Sequence, residues 1–449
     1  MTKTIFITIF QGVEARNILR TDIYKELVGR PDVRLVLFTD SEEKRNYYQK
    51  EFNGPNVIYE VVGEYHARGI QKFFGAAKFN LINTATVDIK RDILFFKEHS
   101  YLKFYRRWLI NRLFARNFVR RIVRWLDWRL VSDQFFKKYF DQYDPDLVLS
   151  AHLFGGTETA VIREARRRGV VSVGLINSWD KLTARAMIRL LPDWMIVHND
   201  SVKKDAIIYA DMPAGRIFVS GIPHFDRYKT GTRAPRDRFL QEIGLDPDKK
   251  TILYLPVGRA ASDDDADMMK FFADLLSDKR LKFPTQLIFR FPPNDEIVAE
   301  GKFPNGVVIQ TPGRRFSLKR GSDWDMNEDD FRILADTITS SDVVVGYPST
   351  MMIDAAIFDK PVINIAYERR PHPRNFILWA YEVDHYRSVL NTGAVRLVKN
   401  DDELIDQLNA YFADPSSDRE GRRRLVAEQC GAQDGKAGKR VADFLLNRI

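Results

Sequence analysis

Short apolar runs alternate with amphipathic stretches along nearly the whole chain. In the first half the runs predict strands at Thr4–Phe10, Val33–Phe38, Val57–Val62, Leu147–Ala151, Val171–Ile176, Trp194–Val197 and Ile217–Ser220. In the second half they predict strands at Thr251–Pro256, Gln286–Arg290, Val307–Gln310, Val343–Val345, Pro361–Ile365 and Val395–Val398. Helical patterns separate most of these runs, and such alternation predicts parallel sheets with helices on both faces. The fold class is therefore α/β, with two Rossmann-like parallel-sheet domains. The stretch from Tyr228 to Lys250, rich in Gly, Pro, Arg and Asp, reads as the boundary. The expected organisation is an N-terminal domain over 1–228 with a basic, aromatic helical insertion near 97–130, a linker at 229–249, a C-terminal domain over 250–415, and a helical segment over 416–449 broken near Cys430 to Gly438. In open sheets, ligands bind at the carboxyl ends of the strands, so two such sheets predict a ligand cleft between them.

Composition narrows the class. A chain of 449 residues that is 45% hydrophobic and 29% charged is globular rather than disordered. The single cysteine, Cys430, excludes an internal disulfide and a cysteine-based zinc site, and fits a reducing compartment. The apolar run at the start is too short for a signal peptide. No run approaches the roughly 18 residues of a spanning helix. The expected location is cytoplasmic.

The net charge of +9 is concentrated. Residues 101–130 carry eight arginines and Lys103 against Asp127 alone. Trp108, Trp125, Trp128 and several phenylalanines lie among them. Arginine beside tryptophan on a helix suits an anionic membrane surface, so Arg112, Arg116, Arg120, Arg124, Trp108 and Trp125 are expected to dock the protein at the inner membrane face. The alternative is a helix pair packed on the core, with arginine stems covering apolar surface. No helix-turn-helix, zinc or single-strand-binding signature points to nucleic acid.

The segment Ser341 to Ile363 carries the strongest chemical signal. A buried-type strand runs through Gly346 to Pro348 into Ser349 and Thr350, with Asp354 one turn later. A helix start after a parallel strand offers free backbone N–H groups and a positive dipole end, which suits a phosphate. Asp354 is placed to hold ribose hydroxyls. The alternative is an ordinary strand–helix turn capped by Ser349. Gly258, Arg259 and Arg290, all near strand ends, are further phosphate candidates, because arginine grips phosphate oxygens bidentately. Three side chains follow strands of the first half and suit a general base: Asp180, first choice, then His152 and Glu14. Asp180 has a competing role as N-cap of a helix over Leu182 to Leu191. Gly221 and His224 sit in the turn before the boundary, facing the cleft or stabilising the turn. Asp263-Asp264-Asp265 reads as a helix start and Asp323 to Asp325 as a loop, so no metal site is expected.

Several segments together resemble one family. Leu191 to Val197 with Asn199-Asp200-Ser201, Gly221-Ile222-Pro223-His224-Phe225-Asp226, Ile252 to Pro256 with Gly258-Arg259, Ser341 to Pro361, and Asp434-Gly435-Lys436-Ala437 before Arg440 look like the GT-B glycosyltransferase superfamily. Within it they resemble the branch of CDP-glycerol glycerophosphotransferases and surface-polysaccharide transferases. The resemblance covers roughly residues 171–445, whereas residues 1–170 contribute only the Rossmann pattern. It implies an N-terminal acceptor domain, a C-terminal donor domain, no cofactor beyond a nucleotide-activated donor used as substrate, and a glycan or lipid-linked acceptor. Two departures matter. Where that branch has Trp-His-Gly this chain has Trp179-Asp180-Lys181, and where it has His-Pro this chain has Phe291-Pro292. Their absence favours transfer of a sugar from a nucleotide sugar. The alternatives are a CDP-glycerol-type polyol-phosphate transferase, a nucleotide-sugar 2-epimerase, and a non-catalytic scaffold for glycan assembly.

Overall fold

The computed structural model describes residues 2–258, 264–293, 303–316, 323–369 and 377–449. The chain forms two compact units, Met1–Lys229 with Gln429–Ile449, and Thr230–Glu428. Both are built on parallel sheets flanked by helices.

Unit 1 holds seven strands: β1 (Lys3–Thr8), β2 (Val33–Thr39), β3 (Val57–Val61), β4 (Leu147–Ser150), β5 (Val171–Leu175), β6 (Trp194–Val197) and β7 (Ile217–Val219). They lie in the order β3-β2-β1-β4-β5-β6-β7. Central strands are apolar on both faces, as a sheet covered twice requires. Ile5 and Ile7 face one buried cluster while Phe6 faces the other. Unit 2 holds β8 (Lys250–Tyr254), β9 (Thr285–Arg290), β10 (Val307–Gln310), a short antiparallel hairpin of β11 (Arg314–Arg315) and β12 (Trp324–Asp325), then β13 (Val343–Gly346), β14 (Val362–Ile365) and β15 (Val395–Val398). Its main sheet runs β10-β9-β8-β13-β14-β15. Each of the thirteen sheet strands falls on a predicted run, with bounds that agree to within two residues. The two-residue hairpin strands are too short to leave a period.

The end of the chain belongs to unit 1. The helix Ala437–Leu446 packs Val441, Ala442, Phe444 and Leu445 into the cluster around Ile5 and Ile7. Asp226 holds its first turn, accepting from the backbone N–H of Ala437 at 3.0 Å and Gly438 at 2.7 Å. An acidic side chain on free helix N–H groups is favourable in charge and geometry. Gly221, at φ +85°, lies beneath Ala437 and Arg440, where a side chain would be both strained and crowded.

The basic, aromatic stretch divides in two, which corrects part of the membrane assignment. It forms helices Tyr101–Phe114 and Asn117–Leu130. Arg120 and Arg124 are not surface groups. Both are buried and converge on Asp211, Arg120 at 2.5 and 2.7 Å and Arg124 at 2.6 Å. Arg124 also donates to the carbonyls of Ile188 and Ala210. Helix periodicity turns every third or fourth residue toward the body of the protein, and Arg120, Arg124 and Asp127 fall on that face. The remaining positions stay outside: Arg112, bonded to Asp88 and Asn83, and Arg116, Trp108 and Trp125 are exposed.

On the same helix Asp127 is fully buried between Arg163 and Arg189. Arg163 Nη2 reaches Asp127 Oδ1 at 2.5 Å, and Arg189 donates to both carboxylate oxygens at 2.7 and 3.0 Å. Removing one member of a buried charged cluster strands the others. The variant Asp127→Ala is expected to lose about 3–5 kcal/mol of unit 1 stability in denaturant titration; a loss below about 1 kcal/mol would mean the arginines find other partners.

Candidate active site

In each main sheet the strand order reverses once, between β1 and β4 in unit 1 and between β8 and β13 in unit 2. At such a switch point, the connections leave in opposite directions and open a crevice at the carboxyl ends. Glu14 and His152 lie at the first of these places and Gly258, Ser349, Thr350 and Asp354 at the second, whereas Asp180, Gly221, His224 and Arg290 lie at or after the ends of other strands.

In unit 1, the helix Gly12–Asn17 follows β1 and carries Glu14 on its first turn. Glu14 reaches back to the chain entering the helix, and its Oε2 accepts from the N–H of Phe10 at 2.6 Å and Gln11 at 3.2 Å. Its Oε1 is buried without a hydrogen-bond partner. Beyond β4, Ala151 N–H is held by Thr8 and the Ser150 hydroxyl donates to the His152 carbonyl, which fixes the turn that presents His152. The helix Gly156–Arg168 then begins, with Glu158 in its first turn. Glu14, His152 and Glu158 are all buried, and one ligand-type atom from each lies within 4.8 Å of the others. His152 Nδ1 stands 3.5 Å from Glu158 Oε1 and accepts weakly from Phe154 N–H at 3.4 Å. Burial and the Glu158 carboxylate push the Glu14 carboxyl well above the ordinary range. The structure thus brings together two of the three predicted bases and adds Glu158, which the sequence reading missed. Its signal was there, an acidic residue just inside the helix after Gly155-Gly156. Two carboxylates and an imidazole are also a donor set that a divalent cation accepts.

Asp180 lies apart, after β5. Its Oδ1 accepts from the Ser178 hydroxyl at 2.5 Å, and it attracts Lys181 and Lys90. It occupies the N-cap position of a helix of only four residues, Lys181–Ala184, and its side chain makes no cap bond. The expected helix to Leu191 stops there. Lys181, pulled down by burial and held up by Asp180 and Glu14, links the two sites electrostatically.

A second polar group fills the ends of β5 to β7. Asn17 donates to the carbonyls of Val13 and Asn177, which leaves its Oδ1 to accept from His224 Nδ1 at 2.8 Å. That fixes the proton on Nδ1 of a neutral ring. Burial, with Arg16 adding to it, pushes the His198 imidazole down to about 4. His224 is likewise lowered, by burial and then by Arg16, His198 and Arg227. Asn177 and His198 were not singled out by sequence. Both are buried, and neither the Asn177 amide nor His198 Nε2 has a hydrogen-bond partner.

In unit 2, Ser349 Oγ accepts from Met351 N–H at 3.1 Å, and the Ser349 carbonyl accepts from Met352 N–H. The turn therefore uses amide groups that were expected to face a phosphate. The helix that follows, Met351–Ile357, has seven residues, with Thr350 exposed at its start and Asp354 buried on its first turn. Gly258 N–H is also engaged, at 2.7 Å from Asp265 Oδ2, while the other oxygen of Asp265 takes Val257 N–H and the Tyr254 hydroxyl. Asp265 is thus a structural clasp on the loop after β8. Arg290 is buried, with Nη1 on Gln310 Oε1 at 2.8 Å and Nη2 on the Asp330 carbonyl at 3.3 Å. Arg259 and Asp263 lie outside the described residues.

The buried histidines set a pH dependence. A histidine whose folded pKa is depressed takes up protons on unfolding, so stability falls as pH drops below its ordinary value of 6.5 and levels off near the folded value. For His198 this amounts to about 3 kcal/mol between pH 6.5 and 4. Denaturant midpoints of His198→Gln are expected to fall less steeply over that range than those of the unaltered protein; parallel curves would refute the assignment.

No curated protein matches the chain by sequence. Among solved structures it is similar to UDP-GlcNAc 2-epimerase from Neisseria meningitidis bound to UDP-GlcNAc, at 12% identity and TM-score 0.53, covering 99% of this chain and 100% of that one. It is similar to a glycosyltransferase from Rickettsia africae at 10% identity and TM-score 0.50, covering 100% and 98%. It is also similar to the wall teichoic acid polymerase TagF at 12% identity and TM-score 0.50, covering 99% and 88%. These likenesses show the GT-B fold, with its two parallel-sheet domains. The family model CDP-glycerol:poly(glycerophosphate) glycerophosphotransferase matches residues 191–447, more than half of the chain. The chain therefore belongs to that family, and is a transferase of glycosyl or glycerophosphate type.

Proposed function

We propose that this protein moves a sugar from a nucleotide-activated donor onto a cell-surface glycan or a lipid-linked acceptor. The observation that carries this reading is the buried group of Glu14, His152 and Glu158 at the β1/β4 switch point, in a chain that has Asp180 and Phe291 where its family has histidines. Sugar transfer needs a base for the acceptor hydroxyl and a pocket for the departing nucleotide. In this reading, unit 1 supplies the base and unit 2 holds the nucleotide around Ser349, Thr350, Asp354, Gly258 and Arg290, together with Arg259. His152 is the better base, because its neighbours are carboxylates, while Asp180 is tied to Ser178 and faces lysines. Polyol-phosphate transfer is the second reading, favoured by the family's name.

The exposed face of residues 70–130 supports docking at an anionic membrane. Seventeen large apolar side chains there are exposed, among them Phe73 at 66% and Leu102 at 81%. Exposed Arg106, Arg116, Arg121 and Arg129 lie among them. Exposed apolar and cationic groups interleaved along one stretch of chain suit lipid head groups over acyl chains. Among the described residues no helix is long and apolar enough to cross a membrane.

Two outcomes are expected. Incubated with nucleotide sugars and a glycan acceptor, the protein transfers sugar only when acceptor is present, and His152→Ala lowers kcat at least about 100-fold while the thermal shift given by the nucleotide persists. Donor turnover without acceptor would replace this reading with an epimerase, and a larger loss in Asp180→Asn than in His152→Ala would move the base to Asp180. Changing Arg106, Arg116, Arg121 and Arg129 together to Gln should release the protein from phosphatidylglycerol vesicles at low salt with no change in melting temperature; retained binding would refute the docking surface.

A further inference from the structure

Four cations of unit 1, Lys78, Lys90, Lys181 and Arg185, gather on chain segments that are tied to one another. Met187 N–H donates to the Lys78 carbonyl at 3.1 Å, and the Thr84 hydroxyl donates to the Thr183 carbonyl at 2.8 Å. The helix Lys181–Ala184 is thereby fixed against residues 78–90, and Arg185 follows it as C-cap. The Lys78 ammonium donates to the Phe154 carbonyl at 2.5 Å, two residues past His152. The Lys90 ammonium donates to the Ala184 carbonyl, next to Arg185. Carbonyls satisfy these donors but bring no full negative charge.

Among the described residues, none of the four cations has an ion-pair partner. Glu158, Asp180 and Glu14 act on them only from a distance. Burial, and then Glu158, holds the Glu14 carboxyl toward its neutral form. Burial lowers the three ammonium groups, and the Arg185 charge lowers each of them further, as befits cations crowded together. Lys181 is buried, whereas Lys90 and Arg185 are exposed, so the group can be reached from solvent. A set of cations with too few anions is a site that a bound anion completes.

The same segments carry part of the exposed apolar surface. Phe79, next to Lys78, is 57% exposed, and the Lys78 ammonium lies 5.2 Å from its ring centre. Leu94, also exposed, stands one turn beyond Lys90 on the same face of the helix Ala85–Glu98. A ligand with a phosphate and an apolar tail fits both.

We propose that Lys78, Lys90, Lys181 and Arg185 bind a phosphate that joins the acceptor to an apolar chain. The inference rests on the sugar-transfer reading and names the anchor of its lipid-linked acceptor. Phosphate oxygens take charge-assisted hydrogen bonds from lysine and arginine. The apolar chain leaves along Phe79 and Leu94, and the phosphate enters unit 1 beside the turn that presents His152.

The test titrates octyl phosphate, octanol and inorganic phosphate into the full chain by calorimetry, below the micelle concentration. Octyl phosphate is expected to bind, inorganic phosphate to bind more weakly, and octanol not to bind. Lys90→Gln with Arg185→Gln, both at exposed positions, should leave the melting temperature unchanged and weaken octyl phosphate binding at least about 10-fold. The same pair should leave UDP, GDP and CDP binding as it was. A control pair, Arg116→Gln with Arg129→Gln, should leave octyl phosphate binding unaltered. Unchanged affinity in the first pair, or an equal loss in the control pair, overturns the proposal. Inorganic phosphate binding as tightly as octyl phosphate would mean a site for free phosphate, and weakened nucleotide binding in the first pair would mean a site for the donor; either result also overturns it. These titrations involve no turnover, whereas the sugar-transfer reading fails on acceptor-independent turnover, so the two failures are distinct.

Discussion

Reversal of strand order is the constraint on which the sites of this protein depend. A parallel sheet must be crossed by right-handed connections, and where the chain begins building in the other direction two neighbouring strands send their connections to opposite faces. β1 and β4 are such a pair in unit 1, and β8 and β13 in unit 2. Residues distant in sequence, Glu14 and Glu158 among them, meet because their strands are adjacent at that point. Neither strand could move in the order without dissolving the site.

Charge burial is the second theme. Asp127 between Arg163 and Arg189, and Asp211 between Arg120 and Arg124, are buried groups satisfied by opposite charge and by backbone carbonyls. They anchor the helix Asn117–Leu130 to the body of unit 1. The Glu14, His152 and Glu158 group differs in kind. Two carboxyl groups face each other there, burial and Glu158 raise the Glu14 carboxyl, and Glu14 Oε1 has no hydrogen-bond partner. A structural cluster settles its charges at folding, whereas a buried group with a raised carboxyl is a candidate for proton transfer.

Most of the architecture was legible in the chain. Thirteen strands could be read because a strand buried on both faces needs a continuous apolar run, and residues that end such strands are visible by position. Glu14, His152, Ser349 and Asp354 follow such strands, as their positions in the sequence imply. The arginines of 101–130 were harder, because a helix repeats every 3.6 residues and the sequence does not say which face is inward. Arg120 and Arg124 went inside because Asp211 awaited them from a distant loop.

Other features lay beyond local pattern. Asp180 follows a strand as a catalytic group should, yet its neighbours Ser178, Lys181 and Lys90 occupy it. Gly258 and Ser349 sit at a switch point, yet Asp265 and the turn itself claim the amides. By itself, the sequence determined the strands, the two-sheet plan and the ends at which chemistry could occur, since each depends on short-range periodicity. Tertiary structure alone decided which of those end residues face one another, which charges are neutralised and which proton is held, because these depend on distances between segments tens to more than a hundred residues apart in the chain.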